Sequence, residues 1–364
     1  MKKGMKHISL FLAVIMLMSL CIGCGQKTSN PPATSTESAN GIAPSTENTD
    51  VIAPDWKGAT LTLGTLNPEG NPDSVAAQWF ADQLSEKTGG RLKVNVYPHA
   101  QLGNQSVQIE ALTMGTQDFF IGGMEPFASI AKELNALNVF FLFESQEQFQ
   151  KFFTTQYYAD AEAKLAENNI VAINKACNWV KGPYRILLSM KHVDGSLDTI
   201  KGLTVRIPDQ EVFQKSWLAL GATPTVLALN ETYLAMQQGL VDSVDLIPAS
   251  IASNGFQDIV KCILKTNAFP QREGVMMNKA TMDSLPEEIQ EIIYETADEA
   301  GDYYTSLVEE AANKILTECR DKGIEVIEDA DLSEWYAACT NLGYDLETSG
   351  YLPSGITDAI KALK

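Results

Sequence analysis

The chain has 364 residues, 45% of them hydrophobic and 20% charged, an ordinary globular composition with length enough for two cores. Asp and Glu number 46 against 27 Lys and Arg, a formal net charge of -19. No Lys/Arg block interrupts that balance, which argues against a nucleic-acid phosphate backbone as partner.

Lys2, Lys3 and Lys6 precede an uncharged apolar run from Ile8 to Ile22, followed by the small residues Gly23 and Gly25. This reads as an export signal, too short and wrongly flanked for a membrane-spanning helix. The stretch Leu20-Cys21-Ile22-Gly23-Cys24 resembles the lipobox of bacterial lipoproteins, which implies cleavage after residue 23 and lipidation of Cys24. Cys21 where a Leu is usual departs from that pattern, and the alternative is a plain secretory signal with an incidental cysteine. Loss of the leader removes three positive charges, so an acidic ligand requires local cations to reverse the field inside its site. Residues 24–55 are mostly Ser, Thr, Asn, Pro and Gly, a composition that cannot offset its ordering entropy and reads as a flexible tether.

Beyond Trp56 strands alternate with helices. Ala59 to Leu63 reads as a strand, Ser74 to Lys87 as a helix closed by Gly89 and Gly90, and Leu92, Val94 and Val96 as a second strand, together a β-α-β unit. Gln105 to Met114 is a short helix stopped by Gly115, and Asp118 to Ile121 extends the parallel sheet. A second series has strands at Tyr184 to Leu188, Leu203 to Ile207 and Ser243 to Ile247. Its helices lie around Phe213, Trp217 and Leu220 and from an N-cap at Asn230 to Gln238. Val275 to Met277 is one further strand. Ser284-Leu285-Pro286-Glu287 has capping-box spacing, and apolar periodicity then continues to Gly323. A helix of that length exceeds ~50 Å and must cross both domains or break at Gly301.

Catalytic residue sets are missing. His99 and His192, the only histidines beyond the signal, read as solvated loop residues, and beyond Cys24 there is no His-x-x-x-His, Cys-x-x-Cys, Gly-x-Ser-x-Gly or phosphate-cradling glycine loop. Asp242 and Asp245 lack calcium-loop spacing. Cys177, Cys262, Cys319 and Cys339 match no zinc pattern and read as buried free thiols. These observations imply no enzyme, no cofactor and no metal.

Four segments carry a resemblance in order and spacing. They are Tyr97 to Gly103 with Glu110-Ala111-Leu112, Gly115 and Asp118; Leu197 to Pro208 with its Lys-Gly-Leu-x-x-Arg-x-Pro core; Glu231 to Asp242; and Asp283 to Glu287. Together they resemble the DctP-type solute-binding proteins of tripartite ATP-independent periplasmic (TRAP) transporters. The resemblance implies an α/β, two-domain, periplasmic-binding-protein type II-like fold, with a ligand cleft between the domains and a long bridging helix. It puts domain I at residues 57–183 and 270–310, and domain II at 184–269 and 311–364. It implies a monomer, held outside the membrane by its lipid anchor, that binds a small organic acid and delivers it to integral-membrane permease subunits.

The resemblance puts Arg206 in the place of the arginine that clamps the ligand carboxylate. Its own chemistry agrees, because a guanidinium between Val205 and Ile207 on an apolar strand needs a partner, and its planar fork matches two carboxylate oxygens. The alternative is an ion pair with a neighbouring Asp or exposure at a strand end. Arg185 resembles a second arginine directed at the same acid, or else an edge-strand Arg facing water. Asn67, Glu125 and Asp209 fall where relatives place polar contacts, although turn and cap roles suit Asn67 and Asp209 equally. Leu246 stands where many members carry Asn and Leu229 where an aromatic is frequent, which makes the site more aliphatic. Trp179 is expected either to line it or to be a buried structural Trp. The rival readings are a sensory module that presents ligand to a receptor and a secreted hydrolase, for which the sequence displays no nucleophile-base pair.

Overall fold

A computed structural model describes residues 55–182 and 184–363. The export signal, Cys24 and the tether up to residue 54 lie outside the described residues. The strands are β1 (Ala59–Gly64), β2 (Leu92–Tyr97), β3 (Phe119–Gly123), β4 (Ile170–Ala172), β5 (Ile186–Ser189), β6 (Thr204–Ile207), β7 (Thr223–Val226), β8 (Ser243–Leu246), β9 (Cys262–Lys265), β10 (Glu273–Asn278) and β11 (Glu325–Ile327). They form two sheets, in the orders β2-β1-β3-β10-β4 and β11-β9-β5-β8-β6-β7.

In the first sheet β1 pairs in parallel with β2 and β3. The Pro72–Lys87 helix makes the crossover from β1 to β2 and buries Ala76, Ala77, Phe80 and Leu84. It starts two residues earlier than the apolar pattern suggests, because Asn71 caps it by accepting from the Asp73 amide and Pro72 fits the first turn. β10, from far along the chain, enters antiparallel between β3 and β4.

In the second sheet β5 lies antiparallel between β8 and β9, β6 runs parallel to β8 and β7, and β11 is a parallel edge beside β9. The Leu229–Gln237 helix is capped at Ala228 rather than Asn230, which sits exposed in its first turn.

Glu287–Asp321 is one helix of 35 residues, about 52 Å at 1.5 Å per residue. Ile289, Ile293, Ala297, Ala300, Tyr304 and Val308 join the core of the first sheet, and Ile315, Leu316 and Cys319 a core of the second. It therefore crosses both rather than breaking. The capping box does not form: Ser284 Oγ turns back to the Thr281 carbonyl, and Pro286 occupies the cap position.

Gly301 is no flaw in this helix. A Cβ there would stand 2.1 Å from Asn178 Oδ1 and 2.7 Å from Trp179 Cδ1, so glycine permits a close approach. Trp179 is accordingly a core residue and does not line the cleft. It is fully buried, stacks on Tyr304 at 5.0 Å between centroids, and donates from Nε1 to the Ala297 carbonyl at 2.7 Å.

A third core gathers aromatic side chains around Phe140, which meets Phe213, Trp217 and Phe269 at 5.7, 5.3 and 5.6 Å. The C-terminal segment ties onto its flank, with Gln148 Nε2 on the Ile360 carbonyl and Asn135 Nδ2 on that of Tyr351. The four cysteines among the described residues are free, three buried and Cys177 half-buried. No helix among these residues is long and apolar enough to cross a membrane.

Candidate ligand-binding site

A cavity of about 380 Å³ opens between the two sheets, within the usual range for small-molecule sites. It lies beyond the carboxyl ends of β3 and β6, where α/β sheets bind ligands. The loops after β1 and β3 contribute Asn67 and Glu125. Across from them stand Arg185, Arg206 and Asp209, with Leu229 and Leu246 as aliphatic wall. The cavity thus collects seven of the eight side chains singled out for ligand contact, and Trp179 is the exception.

Arg206 projects from β6 and is 6% exposed. Its Nε donates to the Leu227 carbonyl at 2.9 Å, and among the described residues no carboxylate pairs with its fork. Burial, and secondarily the neighbouring Arg185, push its guanidinium down to about 9, so it stays cationic at neutral pH. Arg185, just before β5, is differently placed. Its Nε and Nη2 both hold Asp245 Oδ1, the former at 2.7 Å, and Nη1 reaches Gln271 Oε1 at 2.5 Å. Its guanidinium lies 4.9 Å over the Phe269 ring. Burial raises the Asp245 carboxyl while Arg185 opposes that rise, and the pair is close to neutral. Of the two arginines, Arg206 carries the uncompensated charge.

The opposite wall is rich in acceptors. Glu125 is 2% exposed and neither carboxylate oxygen has a hydrogen-bond partner among the described residues; burial raises its pKa. A Cβ at Gly123 would stand 2.3 Å from Glu125 Oε2, so glycine there leaves the carboxylate its present place. Asp73 accepts from Asn67 Nδ2 at 2.8 Å and the Ser74 amide at 2.7 Å. Burial, with the charge of Glu273, pushes it up to about 6. Glu273 pairs with Lys181 at 2.9 Å through Oε1, and its Oε2, like Asn67 Oδ1, is buried without a partner. Asp209 is exposed at the mouth. The cavity therefore offers one unbalanced cation on one side and unfilled acceptors on the other, an arrangement for an anion that also carries donors.

Asp73, Lys181, Asp245, Gln271 and Glu273 escape the sequence reading. Asp245 alone left a trace, as a charged residue between Val244 and Leu246 in a buried strand, which requires a buried partner. Asp242, three residues earlier, serves elsewhere, accepting from the Thr204 amide and hydroxyl and pairing with Lys191, so the two carboxylates do not converge on a cation.

The model of the family described as bacterial extracellular solute-binding protein, family 7 (DctP), matches residues 63–346. The chain belongs to this family, that of the DctP-type solute-binding proteins of TRAP transporters, whose members bind solutes outside the cytoplasm and are not enzymes. It is 28% identical over 304 residues to the 2,3-diketo-L-gulonate-binding periplasmic protein YiaO of Escherichia coli, covering 84% of this chain and 91% of that one. It is 25% identical over 266 residues to the C4-dicarboxylate-binding periplasmic protein DctP of Rhodobacter capsulatus, covering 73% and 76%. Among solved structures, a TRAP periplasmic solute-binding protein from Sulfitobacter sp. NAS-14.1 with bound β-D-galacturonate superposes with a TM-score of 0.76 at 24% identity, covering 84% of this chain and 99% of that one. One from Ochrobacterium anthropi with bound L-fuconate gives 0.77, also at 24% identity, covering 84% and 99%.

Proposed function

We propose that this chain captures a hydroxylated monocarboxylate, a sugar acid, in the cavity and delivers it to integral-membrane permease subunits. The observation that carries the reading is Arg206, a buried guanidinium that lines the cavity and has no anionic partner among the described residues. A ligand carboxylate supplies that partner bidentately. The ligand's hydroxyls donate to Glu125 and to the free oxygens of Asn67 and Glu273, with Asp209 at the rim. Arg185 contacts the same carboxylate only from its exposed edge, because Asp245 already occupies Nε and Nη2. Leu229 and Leu246 cover the carbon skeleton.

The same wall argues against a dicarboxylate, whose second charge would meet buried carboxylates with no cation free to receive it. The galacturonate and L-fuconate held by relatives of like fold agree with a sugar acid. Domain I comprises residues 57–183 and 270–310, domain II 184–269 and 311–364, and closure of the two brings the arginines onto the ligand. The chain works as a monomer, anchored through a lipid on Cys24 after cleavage of residues 1–23.

Calorimetric titration with uronates, aldonates and C4-dicarboxylates tests the ligand class. A uronate or aldonate bound at least tenfold more tightly than any dicarboxylate is expected, and the reverse order contradicts it. Labelled fatty acid still incorporated into Cys24→Ala refutes the anchor.

A further inference from the structure

Away from the cavity, three side chains with metal-binding atoms converge at the other end of the second sheet. Ligand atoms of His192, Cys262 and Glu325 all lie within 4.8 Å of one another, and His192 Nδ1 stands 2.7 Å from Glu325 Oε2. The strand register explains the meeting. Cys262 opens β9 and pairs with Glu325 of β11 on one side and Ser189 of β5 on the other, and His192 follows Ser189 by three residues. Lys265, at the other end of β9, pairs with Ile186, next to Arg185, so the cluster is about 10 Å of strand away from the cavity. None of the three residues lines it.

We propose that His192, Cys262 and Glu325 form a binding site for a borderline-soft divalent metal ion of the zinc type. One imidazole nitrogen, one thiolate and one carboxylate make a zinc donor set, at about 2.0–2.3 Å from the ion, with water in the fourth position. A single oxygen donor does not suit calcium or magnesium. Small side-chain movements that open the 2.7 Å His192–Glu325 contact let the three atoms share an ion. His192 and Glu325 are exposed and give the ion access, while Cys262 is fully buried behind them with its Sγ 3.4 Å from the Val193 carbonyl. On coordination the thiol proton leaves to solvent and the sulfur turns from that carbonyl to the metal. The ion clips together three chain segments: the turn after β5, the start of β9, and the three-residue edge strand β11 that follows the long helix.

The test is titration of the reduced full chain with Co²⁺, then Zn²⁺. Expected are a near-ultraviolet thiolate-to-cobalt charge-transfer band saturating at one equivalent, its loss on adding Zn²⁺, and a higher unfolding temperature with Zn²⁺. Cys262→Ser should abolish the band, and the surface variants His192→Asn and Glu325→Gln, which leave the core intact, should each weaken cobalt binding at least tenfold. Cys177→Ser should retain it. Absence of the band at stoichiometric cobalt overturns the proposal. So does an unchanged cobalt affinity in both surface variants, or a band that disappears with Cys177→Ser.

Discussion

Arg185, just before β5, meets Asp245 of the adjacent strand β8, with its Nε and Nη2 on the same carboxylate oxygen. This pair removes one of the two guanidinium charges from the cavity and leaves Arg206 as the unbalanced cation. Asp245→Asn keeps the shape but strands a buried cation, and breaking such a pair costs about 3–5 kcal/mol. The expected reading is a lower urea midpoint with an unchanged slope, without loss of anion affinity, since positive charge in the cavity increases. An unchanged midpoint contradicts the assignment of Asp245 as the counter-ion.

Asp73 gives the protein a defined pH response. Its pKa is raised to about 6 in the folded chain, by burial first and Glu273 second, above the ~3.9 of an unfolded Asp. The folded state therefore binds the extra proton between about pH 4 and 6, and stability falls as pH rises through that window. Above it the penalty is complete, on the order of 2–3 kcal/mol. Asp73→Asn should remove this slope and stabilise the protein at neutral pH, because Asn67 can flip and offer its unpartnered oxygen to the new amide. Thermal unfolding from pH 4 to 7 checks it; a variant less stable than wild type at pH 7 speaks against the penalty.

Gly301→Ala separates a packing glycine from a hinge. The added methyl meets Asn178 and Trp179, and such overpacking costs about 1–3 kcal/mol. The unfolding midpoint should fall while ligand affinity at a temperature where the variant is folded stays near wild type. A changed affinity with unchanged stability would instead make Gly301 a hinge between the domains.

Arg206, Arg185, Asn67, Glu125, Asp209, Leu229 and Leu246 were singled out through the family resemblance, and all seven line the cavity; strand and turn patterns alone locate their segments but not their convergence. The place of Trp179 was not legible, since whether a Trp faces a cavity or a helix depends on a residue 122 positions away, Gly301, whose missing side chain makes room for it. The Arg185–Asp245 pairing was hidden for the same reason: β5 and β8 become neighbours only through the antiparallel insertion of β5. The extent of the long helix is legible from periodicity, whereas its cap at Pro286 and that of the Leu229–Gln237 helix at Ala228 are not. Good capping chemistry at Ser284 and Asn230 lost to Pro286 and Ala228, whose backbones already hold the cap conformation.

The central claim is that Arg206 receives the ligand's carboxylate, and calorimetry of wild type, Arg206→Ala and Arg206→Lys with the best-bound sugar acid tests it most directly. Losing the principal partner of a desolvated anion costs about 2–5 kcal/mol, roughly 30-fold to several-thousand-fold in affinity. Lysine should recover only part, keeping charge without the fork. Ligand-free stability should not fall in Arg206→Ala, since that side chain is a buried cation with no ion-pair partner among the described residues. Binding within twofold of wild type by Arg206→Ala, or equal binding of the ligand's neutral amide, would contradict the account.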